Sequence, residues 1–111
     1  MKRNVFYIER EKFLRSMFEI AFKNKNEEIY TVDTIVDHYY LIDDLSPAII
    51  IFDVKTVGME LEKVLSYKDK AILVATGDST DQALVESRVK SFILKPIPAT
   101  DLVHTILKLI S

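Results

Sequence analysis

Apolar residues along the chain come in short blocks that alternate between two periods. Val5-Phe6-Tyr7-Ile8 is a compact run of β-formers. Phe13, Leu14, Met17, Phe18 and Ala21 follow at the three-and-four spacing of a helix face. The pair then recurs. Ile29-Tyr30-Thr31-Val32 predicts a second strand, and Asp33 and Thr34 predict a cap for a helix carrying Ile35, Val36, Tyr39, Tyr40 and Ile42. Pro47 ends that helix and opens Ala48-Ile49-Ile50-Ile51-Phe52, apolar at every position as in a parallel strand covered on both faces. Gly58 marks the turn into a third helix with Met59, Leu61, Val64 and Leu65. Ala71-Ile72-Leu73-Val74-Ala75 is a second fully apolar run, and Gly77-Asp78-Ser79 opens a helix with Ala83, Leu84 and Val85. Phe92-Ile93-Leu94 is the last strand. Pro96 and Pro98 break the chain before a closing helix with Leu102, Val103, Ile106, Leu107 and Ile110.

Strands alternating with helices through short connections are βαβ units, and right-handed crossovers place helices on both faces of a parallel sheet. The pattern predicts an α/β fold: a doubly wound, five-stranded parallel sheet in the order 2-1-3-4-5. In such sheets a site lies beyond the carboxyl ends of the strands, where the strand order reverses. Glu9, Arg10 and Glu11 follow strand one, Asp53 ends strand three, Thr76 ends strand four and Lys95 ends strand five. Carboxylates, a hydroxyl and an ammonium gathered there are the parts of a phosphoryl-transfer or divalent-cation site.

Each residue carries two readings. Asp53, directly after Ile-Ile-Ile-Phe, is either a nucleophile held on a rigid strand or the cap of the next helix. Lys95 is either a surface cation before a helix-breaking proline or a partner for Asp53 and a phosphoryl oxygen. The Lys95-Pro96 bond belongs to the one class that takes the cis form cheaply. Thr76 either starts a turn or hydrogen-bonds a phosphoryl group, and Phe92 on its own is a core aromatic.

Composition narrows the field. At 111 residues, 49% hydrophobic and 29% charged, the chain is one globular domain over residues 1–111 and not a disordered segment. The absence of Cys excludes disulfides, thiolate zinc sites and cysteine nucleophiles. The longest apolar run, residues 47–52, is far below the roughly 20 residues of a membrane span, so a cytoplasmic protein is expected. The net charge of −2 conceals a basic first segment, residues 1–25 at +4, and an acidic middle, residues 26–62 at −8. That acidic stretch argues against direct nucleic-acid binding. With Gly58 and Gly77 as the only glycines, no glycine-rich phosphate loop can be written, and no Gly-x-Ser-x-Gly elbow is present. Neither His38 nor His104 pairs in sequence with a nucleophile. An enzyme is not expected.

Asp53 after Ile-Ile-Ile-Phe, Thr76 after Ile-Leu-Val-Ala, and Lys95-Pro96 after Phe-Ile-Leu, in this order on five βα units, resemble the receiver domain of bacterial two-component response regulators. The resemblance spans residues 4–111 and implies the flavodoxin-like (αβ)5 receiver fold. It implies a phosphorelay function in which Asp53 accepts a phosphoryl group from a histidine kinase or phosphotransfer protein. Lys95 would bind the phosphate, Thr76 would supply the switch hydroxyl and Phe92 the aromatic that follows it. Mg²⁺ would be held by Glu9, Asp53 and the backbone carbonyl of Lys55. A homodimer through the fourth helix, fifth strand and fifth helix is the implied assembly.

The sequence also departs from the family. Where an adjacent acidic pair is usual, it reads Glu9-Arg10, and a cation at a ligand position disfavours the metal. Val57 stands where proline is usual, and Gly58 comes about three residues early. The segment between Thr76 and Lys95 is short as well. These changes define an alternative: a degenerate pseudo-receiver that neither binds Mg²⁺ nor becomes phosphorylated, and acts as a constitutive interaction or dimerisation module. A third possibility is a different flavodoxin-like module that binds a small ligand.

Overall fold

The computed structural model describes residues 4–25, 27–96 and 99–110. Five strands, β1 (Asn4–Ile8), β2 (Glu28–Val32), β3 (Ile49–Asp53), β4 (Ile72–Gly77) and β5 (Ser91–Leu94), form one sheet in the order β2-β1-β3-β4-β5. All four neighbouring pairs are parallel. The helices are α1 (Lys12–Lys23), α2 (Tyr39–Leu45), α3 (Val54–Val57), α4 (Leu61–Leu65), α5 (Ser79–Val85) and α6 (Ala99–Ile110). The expected doubly wound topology is therefore the observed one. Pro98 lies outside the described residues.

Side chains alternate across each strand, so the sheet carries two apolar layers. Val5, Tyr7, Ile49, Ile51 and Val74 pack against Phe18 and Phe22 of α1 and Leu102, Val103 and Ile106 of α6. Phe6, Ile8, Ile50, Phe52, Leu73 and Ala75 pack on the other face against α2 to α5. Ile49 to Phe52 are fully buried, which is why β3 reads as continuously apolar.

Two local expectations change. The helix expected from Ile35 begins at Tyr39 instead. The Thr34 hydroxyl accepts from the Val36 N–H, the Ile35 carbonyl accepts from the His38 N–H, and Asp37 takes a left-handed φ of 67°. This turn buries Ile35 in the core and leaves Val36 exposed, a side-chain-to-backbone alternative that Ser, Thr and Asp offer ahead of a helix. The second change is at Asp53. The third helix is expected to follow the turn at Gly58, but α3 already starts at Val54, and 3₁₀ turns at Gly58–Glu60 and Ser66–Asp69 flank α4.

Candidate functional site

The alternation that builds the α1/α6 layer also selects the side chains at its upper rim. Glu9 extends the row Val5-Tyr7, Asp53 extends Ile49-Ile51, Thr76 follows Val74 and Lys95 follows Ile93. Asp53 is directly paired with Thr76 in the β3–β4 register. Lys95 donates its backbone N–H to the Gly77 carbonyl at 2.9 Å, anchoring the end of β5 beside β4. The Lys95-Pro96 peptide bond is cis.

Glu9 and Asp53 meet through Lys95. The Lys95 Nζ lies 2.5 Å from Glu9 Oε1 and 3.0 Å from Asp53 Oδ1. Glu9 is completely buried and Asp53 only 4% exposed, so the ammonium balances two desolvated carboxylates. Burial alone would lower the Lys95 pKa, but the hydrogen bonds and charges of Glu9 and Asp53 outweigh it and raise the pKa above the usual lysine value. Glu9 is further held by the Tyr7 hydroxyl at 3.2 Å and the Glu11 N–H at 3.2 Å, while Arg15 Nη1 donates to its carbonyl at 2.7 Å. Burial, then the negative charge of Glu9, pushes the Tyr7 phenol far above its ordinary value.

Asp53 has a second role that its position alone left open. Its Oδ2 accepts from the Thr56 N–H at 3.0 Å and from the Thr56 hydroxyl at 2.7 Å, making it the N-cap of α3. Thr56 in turn accepts from the Arg10 N–H at 3.1 Å, tying the end of β1 to this cap. Thr56 was not singled out from the sequence. The signal was present as an Asp-x-x-Thr spacing, which lets the Asp cap both the N–H and the hydroxyl three residues on.

The side chains of the remaining expected residues are not bonded to this cluster among the described residues. Arg10 is exposed, and among the described residues its guanidinium makes no ion pair, so Lys95 rather than Arg10 neutralises Asp53. Lys55 lies in α3, two residues after Asp53. Its ammonium bridges Asp78 Oδ2 at 2.7 Å and Asp81 Oδ2 at 2.6 Å. The hydrogen bond from Lys55 holds the Asp78 carboxyl down at about 2. Asp78 and Asp81 also form a reciprocal capping box at the start of α5. Thr76 is 2% exposed and its hydroxyl, on the α1/α6 side, has no hydrogen-bond partner among the described residues. Phe92 pairs with Ala75 and packs into the opposite layer, so Thr76 and Phe92 stand on opposite faces of the sheet.

No family model matches the sequence, and no curated protein matches it. Solved structures do. The signal receiver domain of the putative LuxO repressor protein of Vibrio parahaemolyticus superposes with a TM-score of 0.81 at 22% identity, covering 97% of this chain and 89% of that one. A response-regulator signal receiver domain from Bermanella marisrubri gives 0.84 at 12% identity, with both chains fully covered. A streptococcal protein, described as one of a family of redox sensors evolved from two-component response regulators, gives 0.81 at 16% identity over 96% of this chain and half of that one. The chain has the receiver fold.

At the rim of this receiver fold, Glu9 and Asp53 are the carboxylates that would face an Mg²⁺ ion, and Lys95 lies between them. The Thr56 N–H of α3 donates to Asp53. An ammonium already occupies the space between the two carboxylates. The position of a second acidic ligand is held by Arg10. Among the described residues there is no group of three or more His, Asp or Glu side chains placed to hold a metal ion. What the arrangement does chemically is join β1, β3, β5 and α3 into one rigid rim.

Proposed function

We propose that the chain is a receiver module of two-component signalling that has given up phosphoryl acceptance: a pseudo-receiver whose Asp53 is structural and whose surface is presented constitutively to a protein partner. One observation carries this reading. Both oxygens of Asp53 are engaged, Oδ1 by Lys95 and Oδ2 by the N–H and hydroxyl of Thr56, in a carboxylate only 4% exposed. An in-line attack on phosphorus needs a free carboxylate oxygen facing the donor, and a developing charge needs a cation beyond the ammonium already shared by two anions. Partners are proteins of the same signalling class, a histidine kinase or phosphotransfer protein among them. No helix among the described residues is long and apolar enough to cross a membrane, which supports a cytoplasmic role. A homodimer through α5, β5 and α6, with Leu84 and Leu94 exposed on that side, fits the same role.

The second reading keeps Asp53 as phosphoacceptor. It is favoured by the convergence of Asp53, Thr76 and Lys95 on one rim and by the unpartnered Thr76 hydroxyl, which a phosphoryl oxygen would satisfy. Intact-mass spectrometry after incubation with acetyl phosphate and Mg²⁺ separates the two. The pseudo-receiver gains no phosphoryl mass, while the double variant Arg10→Asp, Thr56→Val, which restores an acidic ligand and removes the hydroxyl donor from Asp53 Oδ2 while leaving the backbone N–H in place, gains it. A phosphoryl adduct on the unaltered chain, lost in Asp53→Asn, establishes the second reading.

A further inference from the structure

Between α1, α6 and the carboxyl ends of β1 and β4, beside the Glu9–Lys95–Asp53 cluster, there is an open cavity of about 290 Å³. Its walls are Tyr7, Leu14, Phe18, Pro96 and Leu102, with Thr76, Glu11 and Lys95 as its polar groups. Tyr7 and Phe18 meet with ring centroids 4.8 Å apart, giving one aromatic side. The Thr76 hydroxyl is buried here without a partner among the described residues, and a buried polar group left unpaired costs free energy that a bound donor or acceptor recovers. An apolar cavity of about 150 Å³ accommodates benzene, so this one has room for a bicyclic aromatic.

The polar groups select the charge of an occupant. Lys95 is already held by Glu9 and Asp53, so an anionic head would have to compete with two carboxylates for one ammonium. Glu11 is exposed, and among the described residues its carboxylate makes no ion pair. Of the neighbouring cations, Arg15 is turned back on the Glu9 carbonyl and Arg10 points to solvent. We infer that this cavity is a binding site for a small aromatic amine of bicyclic size, its ring among Tyr7, Leu14, Phe18 and Leu102 and its ammonium donating to Thr76 and Glu11. Such a ligand would lie against Thr76 and Lys95, giving the receiver fold a chemical input that does not involve phosphorylation. The inference holds whether or not Asp53 is a phosphoacceptor.

Three indoles of matched ring and different head charge test it: tryptamine, indole and indole-3-acetate. Calorimetry on the full chain should rank tryptamine tightest and indole-3-acetate weakest, and amide shifts should centre on Phe18, Thr76 and Leu102. Thr76→Val keeps the shape and removes the hydroxyl, and should weaken tryptamine about fivefold, the worth of one ordinary hydrogen bond. Leu14→Trp, at the half-buried rim, should abolish binding by filling the cavity, and it decides the matter if Thr76→Val fails to fold. Binding by none of the three, preference for the acetate, or shifts centred elsewhere on the chain would overturn the inference.

Discussion

Replacing Asp53 with Ala distinguishes a structural carboxylate from one kept ready for chemistry. In an open acidic pocket, deleting one of two neighbouring carboxylates relieves repulsion and stabilises the fold. Here the same deletion removes three contacts. Loss of the N-cap of α3 costs about 1 kcal/mol. Loss of a charge-assisted bond from the Thr56 hydroxyl costs roughly another 1 kcal/mol at this half-buried position. Lys95 loses one of two anions but keeps Glu9 at 2.5 Å, so the full penalty of an orphaned buried charge does not apply. The expected sum is about 2 kcal/mol of destabilisation, or roughly 8 °C in Tm for a domain of this size. Urea unfolding followed by circular dichroism measures it, with an unchanged slope confirming that the folded state is otherwise intact. Unchanged or increased stability in Asp53→Ala would refute the view that this carboxylate is a structural cap.

Further outcomes follow from the same contacts. A Cβ built on Gly77 would lie 2.5 Å from Asp81 Oδ2, inside the capping box, so Gly77→Ala should lower the urea midpoint by the equivalent of about 1–2 kcal/mol. In an NMR titration, Lys55→Met should move the Asp78 carboxyl from about 2 back toward the ordinary 3.8. Because that carboxyl is depressed in the folded chain, its contribution is complete above the ordinary value and disappears as pH falls toward about 2. Lys95 and Tyr7 behave in the opposite sense. Both are raised in the folded state, so their contributions are complete below about pH 10 and are lost as pH climbs above it. Urea midpoints between pH 8 and pH 11 should fall for the unaltered chain and fall less for Tyr7→Phe.

The sheet was legible because its signals are local and redundant. Each strand is a short β-forming run, and continuous apolar runs at 49–52 and 71–75 announce burial on both faces. Glu9, Asp53, Thr76 and Lys95 could be placed on one rim from strand ends alone, and the register brings them there. Their bonding was not legible. Whether Asp53 faces an incoming phosphorus or caps α3 depends on the chain geometry over the next three residues, and Val54-Lys55-Thr56 is compatible with either a loop or a helical turn. The Lys55 ammonium reaches Asp78 and Asp81, more than 20 residues away, a contact no spacing announces. The resemblance implied a coupled Thr76 and Phe92, and the register places them on neighbouring strands, Thr76 beside Ile93 and Phe92 beside Ala75. The start of α2 shifted because Thr34 and Asp37 stabilise a turn that periodicity alone reads as helix.

The Thr56 amide reports directly on the Asp53 carboxylate that it caps at 3.0 Å. Its ¹H–¹⁵N resonance, followed while Mg²⁺ and then beryllofluoride are added, is the sharpest test of the pseudo-receiver account. In a pseudo-receiver this resonance stays where it is throughout. A saturable shift of that one amide, with Lys95 responding at the same concentrations, would contradict it.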